Sequence, residues 1–354
     1  MKKSRKAKRR PLAKRTQTTK NPAPKKNGII FQAVPNDRKV TAIVTPQGEP
    51  SVIFPGRVLL TDEMKERLTD RCSAFWHPSG KEQRTQKFDW IVNTLADPDR
   101  YSNALTYLND QLANHPLPVF NNPSCILETA RDVVWRKLSD VSNLIAPRCV
   151  RFLATHPDHF RDAFERGNFE YPVLVRPAGT HTGDNLILID SDRNWDRIHK
   201  IAWGGREIYL TQWVDFRSEN GDWRKLRLAI TPEGIHLRHI LFGSSWLIHA
   251  VERSDVEVER ELEILMNAEE WQALQKLGAD IRQRVGLDFF GVDLGWKSDT
   301  EFVLFEANAS MSILSYRNVP TYRRHDYVAS LRRIEDDVWR TLSRFSGPLR
   351  SKNE

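Results

Sequence analysis

The sequence of 354 residues predicts a mixed α/β and α+β protein with more than one packed subdomain. Short runs rich in β-branched and aromatic residues alternate with amphipathic segments along most of the chain. A hydrophobic content of 40%, with 11 Trp, is enough for a sizeable buried core. No apolar stretch approaches the roughly 20 residues of a membrane span, and no secretory signal is recognisable at the N-terminus, so we expect a cytoplasmic protein without a membrane span.

The net charge of +8 is concentrated at the N-terminus. Residues 1–26 contain 12 of the 54 Lys and Arg residues and no acid, so the rest of the chain has 42 basic and 46 acidic residues. A segment of this composition has too few apolar groups to offset the entropy lost on ordering, so residues 1–27 are predicted to form a disordered basic tail. The tail is expected to bind nucleic acid or an acidic partner, or to act only as a solubilising arm, and the sequence leaves both open.

Residues 28–125 are predicted to form an N-terminal α/β domain. One helix begins after the capping residue Thr61, and a second covers residues 99–115. Because strands and helices alternate along this segment, the sheet should be partly parallel. The predicted strands are GIIFQAV, KVTAIVTP, SVIFPGRVLL, FDWIVNTLA and LPVFNNP.

Residues 126–215 are predicted to hold a linker helix and a central subdomain, and residues 216–347 a C-terminal subdomain with the metal site. The central strands are PRCVRFLA, YPVLVRPA, NLILID and EIYLTQWVDF, and the helices are HPDHFRDAFERGN and DRNWDRIHKIAW. The C-terminal subdomain should contain the strands DWRKLRLAIT and GIHLRHILFG around the turn TPEG, two helices, a hairpin of FFGVDLGWK with EFVLFEANA, and the closing helix YVASLRRIEDDVWRTLSRF.

The register of this hairpin can be predicted. Its turn is expected to be centred between Asp299 and Thr300, which places Asp293 opposite Glu306. Opposite Cβ atoms are about 4.5–5.5 Å apart, where two like charges are destabilising, so a positive group should lie between the acids. Asn308 projects from the same face as Glu306, and two carboxylates with an amide oxygen suit Mg²⁺. The alternative, which stays open, is that Glu306 pairs with an Arg and Asn308 caps the strand end.

A second candidate site is the segment VLVRPAGTHTGDN between two apolar strands. Arg176 ends the first strand, and an arginine can hold phosphate oxygens bidentately. Gly179 and Gly183 follow, and glycines permit backbone amides to turn toward an anion. An ordinary turn between two strands is the alternative.

Together these segments resemble the ATP-grasp superfamily, across roughly residues 119–345. FNNPSCILETARDVVWRKL is similar to the segment that supplies the first nucleotide-binding base, with Arg131 where the family typically has Lys. YPVLVRPAGTHTGDN resembles the strand with the second base and the phosphate loop, with Arg176 in place of the commoner Lys. IYLTQWVDF resembles the hinge strand that reads adenine, here through Gln212 and Val214. The two Arg residues keep the charge of Lys but change its geometry.

The most specific match is GLDFFGVDL with FVLFEANASM, which implies that Asp293, Glu306 and Asn308 are the metal ligands. GDWRKLRLAI resembles the stretch whose basic residues reach the phosphates or the reacting carboxylate. Strand alternation places its Lys225 and Arg227 on one face, which favours a joint role.

RHILFGSSWLIH resembles a subgroup of uncharacterised ATP-grasp proteins, some of which are fused to helical repeats. The resemblance implies that His239 and His249 line the acceptor pocket, which Ser310 should border. The alternative is that both histidines are packed or surface residues.

The resemblance as a whole implies an ADP-releasing carboxylate–amine ligase, similar to glutathione synthetase and D-Ala-D-Ala ligase, that uses ATP and Mg²⁺. Small-molecule or peptide carboxylates and amines would be the substrates, and a homodimer is one expectation. Two other functions stay open: an ATP-grasp kinase, and a nucleotide-binding regulatory or nucleic-acid-associated protein. The implied nucleotide-binding residues are Arg131, Arg176, Gly179, Gly183, Gln212, Val214 and Lys225, and the implied catalytic residue is Arg227.

Overall fold

The computed structural model describes residues 27–45, 48–78, 88–181, 183, 185–248, 254–315, 319 and 321–346. Residues 1–26 of the predicted basic tail and the candidate residue His249 lie outside the described residues. Of the helices in the part that is described, none is long and apolar enough to cross a membrane.

The N-terminal sheet has four parallel strands in the order β4-β1-β5-β6, where a partly parallel sheet was expected. Helix α1 begins after Thr61, whose hydroxyl accepts a hydrogen bond from the Met64 amide at 3.3 Å, as the capping prediction requires. The edge strand β4 was not predicted, because it follows α1 directly. The elements are β1 (Gly28–Ala33), a separate antiparallel pair β2 (Thr41–Val44) and β3 (Pro50–Ile53), α1 (Asp62–Arg71), β4 (Cys72–His77), β5 (Trp90–Asn93), α2 (Pro98–Asn114) and β6 (Val119–Phe120).

The central sheet has the strand order β10-β9-β11-β8, and β11 is antiparallel to both of its neighbours. All four strands were predicted, but the segment predicted as a helix after β10 is a 3-10 helix. The elements are β8 (Cys149–Ala154), α5 (Asp158–Arg166), β9 (Val173–Pro177), β10 (Ile187–Ile189), the 3-10 helix Asp192–Lys200 and β11 (Arg206–Gln212).

The C-terminal sheet has the strand order β13-β12-β14-β15-β7. Its four long strands are antiparallel, and the two-residue strand β7, which was not predicted, adds in parallel to β15. The elements are α3 (Pro123–Leu127), α4 (Arg131–Leu138), β7 (Leu144–Ile145), β12 (Trp223–Ile230), β13 (Ile235–Gly243), α6 (Asp255–Met266), α7 (Gln272–Val285), β14 (Phe290–Ser298), β15 (Glu301–Asn308), the 3-10 helix Thr321–Arg323 and α8 (Arg324–Ser346).

The buried side chains divide these sheets into two bodies. Most buried residues of the N-terminal and C-terminal sheets belong to one continuous hydrophobic core, in which α8 contacts β5, β6 and β13. A small further cluster on the C-terminal sheet includes Trp223, Leu241 and Val303. Residues of the central sheet, with α5 and the 3-10 helix, form a separate core. Contacts between the central sheet and the other two can therefore change without opening either core. The domain boundaries given by the sequence stay a prediction.

Candidate active site

A row of four side chains crosses one face of the C-terminal sheet. On β12, Arg227 lies opposite His239 of β13 and, on its other side, opposite Asp293 of β14. Asp293 in turn lies opposite Glu306 of β15. Directly opposite residues of antiparallel strands project from the same face of the sheet, so the row places one basic and two acidic groups side by side.

The prediction that Asp293 faces Glu306 is confirmed, although the ladder between them is not regular. The strands pair as predicted at Ser298 with Glu301, next to the turn. Lys297 on β14 then has no partner, and Phe305 on β15 has none either, so two register shifts cancel. One irregularity alone would put the two acids out of register, whereas the second restores the pairing that a regular ladder would give.

Asp293 is 1% exposed and is held by two basic side chains of β12. Arg227 donates from Nε to Oδ1 at 2.6 Å and from Nη2 to Oδ2 at 2.8 Å, and Lys225 Nζ lies 2.7 Å from Oδ2. Burial alone would raise the pKa of the Asp293 carboxyl, but the charges of Arg227 and Lys225 outweigh it and hold the pKa well below its usual range. The predicted shared face of Lys225 and Arg227 is confirmed.

Glu306 is paired with Arg131, the first residue of α4. The Arg131 guanidinium donates to the Glu306 carboxylate and, at 2.7 Å, to the carbonyl oxygen of the unpaired Phe305. Burial opposes ionisation of Glu306, but Arg131 overcomes it, so the pKa of Glu306 is lowered. Arg131 therefore contacts the hairpin end that contains the predicted metal ligands.

Asn308 accepts two hydrogen bonds on Oδ1, from the Ser310 amide at 3.0 Å and the Ser310 hydroxyl at 2.8 Å. With the Arg131 pair, this is the arrangement of the alternative in which Glu306 binds an arginine and Asn308 caps the strand. The donor chemistry still fits a divalent cation, since two carboxylates and an amide oxygen share one strand end. Within the described ranges, no three His, Cys, Asp or Glu side chains form a metal-binding group. The assignment of the metal ligands stays a prediction.

Arg176 is the next-to-last residue of β9 and is 8% exposed. Its Nε donates to the Thr180 hydroxyl at 3.3 Å, and its Nη2 donates to the Thr180 carbonyl oxygen. Burial, followed by the nearby charge of Arg131, lowers the pKa of Arg176 to about 9. Two buried cations with an unfavourable interaction create a place where an anion would be stabilised. Gly179 and Gly183 have φ of +70° and +78°, which explains the glycines of the predicted loop.

Three residues at the start of α2 contact this loop, and the sequence did not indicate them. The Gly179 amide donates to Asp99 Oδ2 at 2.9 Å, and Arg100 Nη2 donates to the Gly179 carbonyl oxygen at 2.7 Å. His181 Nε2 lies 2.9 Å from Oδ2 of Asp97, the N-cap of α2. The Asp-Pro-Asp pattern indicates only a helix start, since no local signal relates it to a loop some eighty residues later.

The predicted adenine-reading residues lie at the end of β11. The Gln212 amide donates to the Arg148 carbonyl at 2.8 Å, and its side-chain Nε2 donates to the Glu170 carbonyl at 2.8 Å. Both hydrogen bonds join the end of β11 to neighbouring segments of the central subdomain. The Val214 amide, by contrast, donates to no backbone carbonyl within the described part of the chain. Val214 is therefore the better candidate of the two for an adenine-facing amide.

The described acceptor-site candidates are His239 and Ser310. His239 is 4% exposed, and burial, followed by Arg227 and Arg238, lowers its pKa well below the ordinary value of histidine. The imidazole is therefore neutral and packed beside Arg227, which agrees with the alternative of a packed residue. Ser310 is partly exposed next to Asn308. The surroundings of these two residues do not identify an acceptor substrate.

This arrangement of three sheets is the ATP-grasp fold, as the sequence predicts. The D-alanyl-alanine synthetase A of Vibrio cholerae has a similar structure, with a TM-score of 0.51 and 9% identity over 91% of this chain and 99% of that chain. Other similar structures are the D-alanine–D-alanine ligase of Bacillus anthracis (TM-score 0.49, 11% identity, 90% and 97% covered) and an ATP-grasp RimK domain protein of Sphaerobacter thermophilus (TM-score 0.45, 16% identity, 87% and 99% covered). No protein-family model and no curated protein matches the sequence.

Proposed function

We propose that this chain is an ATP-dependent ligase that joins a carboxylate to an amine and releases ADP and phosphate. The carboxylate would come from a small molecule or a peptide. The fold is shared with a protein named as a synthetase of D-alanyl-alanine, which is a product of this reaction type.

One observation carries the proposal: the buried and partly buried basic groups of the site outnumber its acids. Asp293 and Glu306 supply two negative charges and the nearby Asp99 a third, whereas the site contains four cations, namely Arg131, Arg176, Lys225 and Arg227. A buried excess of positive charge is unfavourable unless an anion balances it. A nucleotide polyphosphate has the charge that this site lacks.

The nucleotide would lie between the central and C-terminal sheets. Arg131 and Arg176 would hold phosphate oxygens, and the amides that follow Gly179 and Gly183 would face the same anion. The Arg131 guanidinium has five N–H donors. Two of its nitrogens donate to Phe305 and Glu306, so further N–H groups remain for phosphate. Val214, with Gln212 beside it, would contact adenine.

Asp293, Glu306 and Asn308 would hold Mg²⁺ by their oxygen atoms, in exchange for part of their present contacts with basic side chains and Ser310. When bound, the ion would neutralise charge on the phosphoryl oxygens. Glu306 would then release Arg131 toward the phosphates.

The chemistry consists of two transfers. A carboxylate oxygen of the substrate attacks the γ-phosphorus of ATP, and the bond to the β-phosphate oxygen breaks, which gives an acylphosphate and ADP. The amine nitrogen then attacks the acyl carbon, phosphate leaves with the bonding electrons, and the nitrogen loses a proton. Arg227, with Lys225 beside it, would stabilise the negative charge that develops on the acyl oxygens. The chain's contribution is positioning and electrostatic stabilisation.

The test combines ATP, Mg²⁺, a set of amino acids and peptides, and hydroxylamine, which captures an acylphosphate as a hydroxamate. We expect hydroxamate and ADP to appear together with at least one carboxylate. A stable phosphorylated product without hydroxamate would identify a kinase instead, and ADP release without any acceptor would contradict the ligase.

A matched pair of variants tests the site. Glu306→Gln should lower ADP release by at least about a hundredfold, because an amide is a weaker ligand and a poor partner for Arg131. Glu301→Gln changes the same residue type at the other end of β15, where the side chain pairs with Lys297 at 3.0 Å, and it should retain turnover. Full activity in Glu306→Gln would refute the role of this strand end.

A further inference from the structure

The loop after β9 is held by a group of side chains that the proposed reaction does not use. We call Asp97, Asp99 and Arg100 at the start of α2 the loop clamp. Both backbone polar groups of Gly179 are engaged by it, since the amide donates to Asp99 and the carbonyl accepts from Arg100. Two residues further on, His181 contacts Asp97.

Asp99 is the centre of the clamp because three donors converge on its carboxylate. Oδ2 accepts from the Gly179 amide, whereas Oδ1 accepts from the Tyr209 hydroxyl at 2.7 Å and from Arg151 Nη1 at 3.0 Å. The side chain of Asp99 is 12% exposed. Burial and then the charge of Asp99 raise the pKa of Tyr209, so its hydroxyl stays protonated and remains a donor.

These contacts cross between the two cores. Helix α2 packs in the core of the N-terminal sheet, whereas β9 and β11 pack in the core of the central sheet. Arg151 also binds Glu207 at 2.8 Å, a contact that stays within the central sheet. Asp99 therefore joins the loop to a different body from the one that carries it.

A path of hydrogen bonds from the clamp to the nucleotide site runs through Thr180. Thr180 lies between Gly179 and His181, which the clamp holds on either side. Both oxygens of Thr180 accept hydrogen bonds from Arg176, the buried cation at the end of β9. The orientation of the Arg176 guanidinium thus depends on where Asp99 and Asp97 hold the loop.

We propose that Asp99 is a positioning residue that fixes residues 179–181 and, through Thr180, orients Arg176 for the nucleotide phosphates. The effect on nucleotide rests on the proposed function, whereas the fixing of the loop does not. Since α2 follows β5 at the carboxyl edge of the parallel sheet, an edge where α/β proteins bind ligands, the clamp also couples the loop to that edge.

The first measurement is hydrogen exchange of the loop amides in the full chain without nucleotide. In Asp99→Ala, exchange of the Gly179 amide should accelerate by about tenfold, the effect of one hydrogen bond to a charged group. Asp99→Asn keeps an acceptor for this amide, so its exchange rate should lie between the rates of Asp99→Ala and the wild type. Glu207→Gln removes the charge of the other partner of Arg151 and should leave loop exchange unchanged.

The second measurement is the affinity for Mg-ATP of the same variants, by calorimetry. Asp99→Ala should bind Mg-ATP about tenfold more weakly than the wild type, and Asp99→Asn should have an intermediate affinity. Glu207→Gln should bind as tightly as the wild type. Exchange in peptides from α2 and β5 serves as a check that the fold is intact.

The outcomes separate the two proposals. Unchanged loop exchange in Asp99→Ala would overturn the clamp, and faster exchange with unchanged Mg-ATP affinity would overturn its role in nucleotide positioning. A wild-type protein that binds no Mg-ATP would refute the proposed function and the positioning role together, while the exchange measurement would still decide whether Asp99 fixes the loop.

Discussion

The hairpin end and the loop after β9 use the same interactions in opposite ways. At the hairpin end, buried acids are the held groups, and Asp293 is held by basic side chains of the adjacent strand β12 in the same sheet. At the loop, Gly179 and His181 are the held groups, and the acids that hold them come from α2, which packs in the other core. The first arrangement is built into one body, whereas the second depends on how two bodies meet.

This difference indicates which part of the site is rigid. Unless another cation replaces them, Asp293 cannot lose its partners without leaving an unpaired charge inside the sheet, so folding fixes the position of its carboxylate. The contacts of the loop are partly exposed and cross between cores, so they can break without unfolding either core. We infer that the hairpin end is preorganised and that the loop is the adjustable half of the site. Three predictions test this contrast.

The largest effect is expected when Asp293 is changed to Asn. The variant would leave Arg227 and Lys225 without their counter-charge inside the sheet, and removal of one partner of a buried ion pair costs about 3–5 kcal/mol. Urea unfolding of both proteins gives the difference. The control is Asp299→Asn in the exposed turn of the same hairpin, which should change the unfolding free energy by less than about 0.5 kcal/mol. Equal stability of the two variants would show that the hairpin end is not preorganised by this pair.

A smaller effect is expected for Arg176→Lys. A single ammonium cannot reproduce the two contacts that the guanidinium makes with Thr180, although it keeps the charge. We expect Mg-ATP to bind about tenfold more weakly, or about 1.4 kcal/mol, with little change in stability. Arg206→Lys, at the exposed start of β11, is the matched control. A loss of stability as large as that of Asp293→Asn would mean that the loop side is as rigid as the hairpin.

The smallest effect is expected for His239, at one end of the row of four side chains on the C-terminal sheet. Burial and the cations Arg227, Arg238 and Lys225 lower the pKa of His239, with only Asp293 acting in the opposite direction. The unfolded state then binds a proton near pH 6.5 that the folded state does not bind, so stability is lost as the pH falls below that value.

Between pH 6.5 and 5.5 the unfolding free energy of the wild type should therefore fall by about 1 kcal/mol more than that of His239→Gln. Urea unfolding at both pH values measures this difference between slopes, to which other groups contribute equally in both proteins. Parallel slopes would contradict a neutral, buried His239.

Much of the fold could be predicted because its signals are local. Thr61 caps α1 by a contact three residues away, and the strands of the C-terminal sheet are visible as short apolar runs. The pairing of Asp293 with Glu306 was also predicted, although the calculation assumed a regular ladder and the structure contains two irregularities that cancel. The predicted pairing was correct, but the prediction did not include the two irregularities.

Other features could not be predicted, since they depend on segments distant in sequence. The parallel addition of β7 to β15 joins residues more than 150 positions apart, and a two-residue strand has no periodicity to recognise. The pairing of Arg131 with Glu306 and the contact of Asp99 with Gly179 are of the same kind. The sequence shows which residue types are present, but several residues in the chain could have been the partner of each of these side chains.

The sequence by itself determined most of the order of strands and helices, the hairpin with its opposed acids, and the two glycines that allow the loop its positive φ values. These depend on backbone preferences and alternation over short distances. The tertiary structure alone decided that Arg131 neutralises Glu306, that Lys225 and Arg227 share Asp293, and that α2 holds the loop. Charge pairing acts over a few ångströms in space, and only the packing of the two cores brings these groups that close.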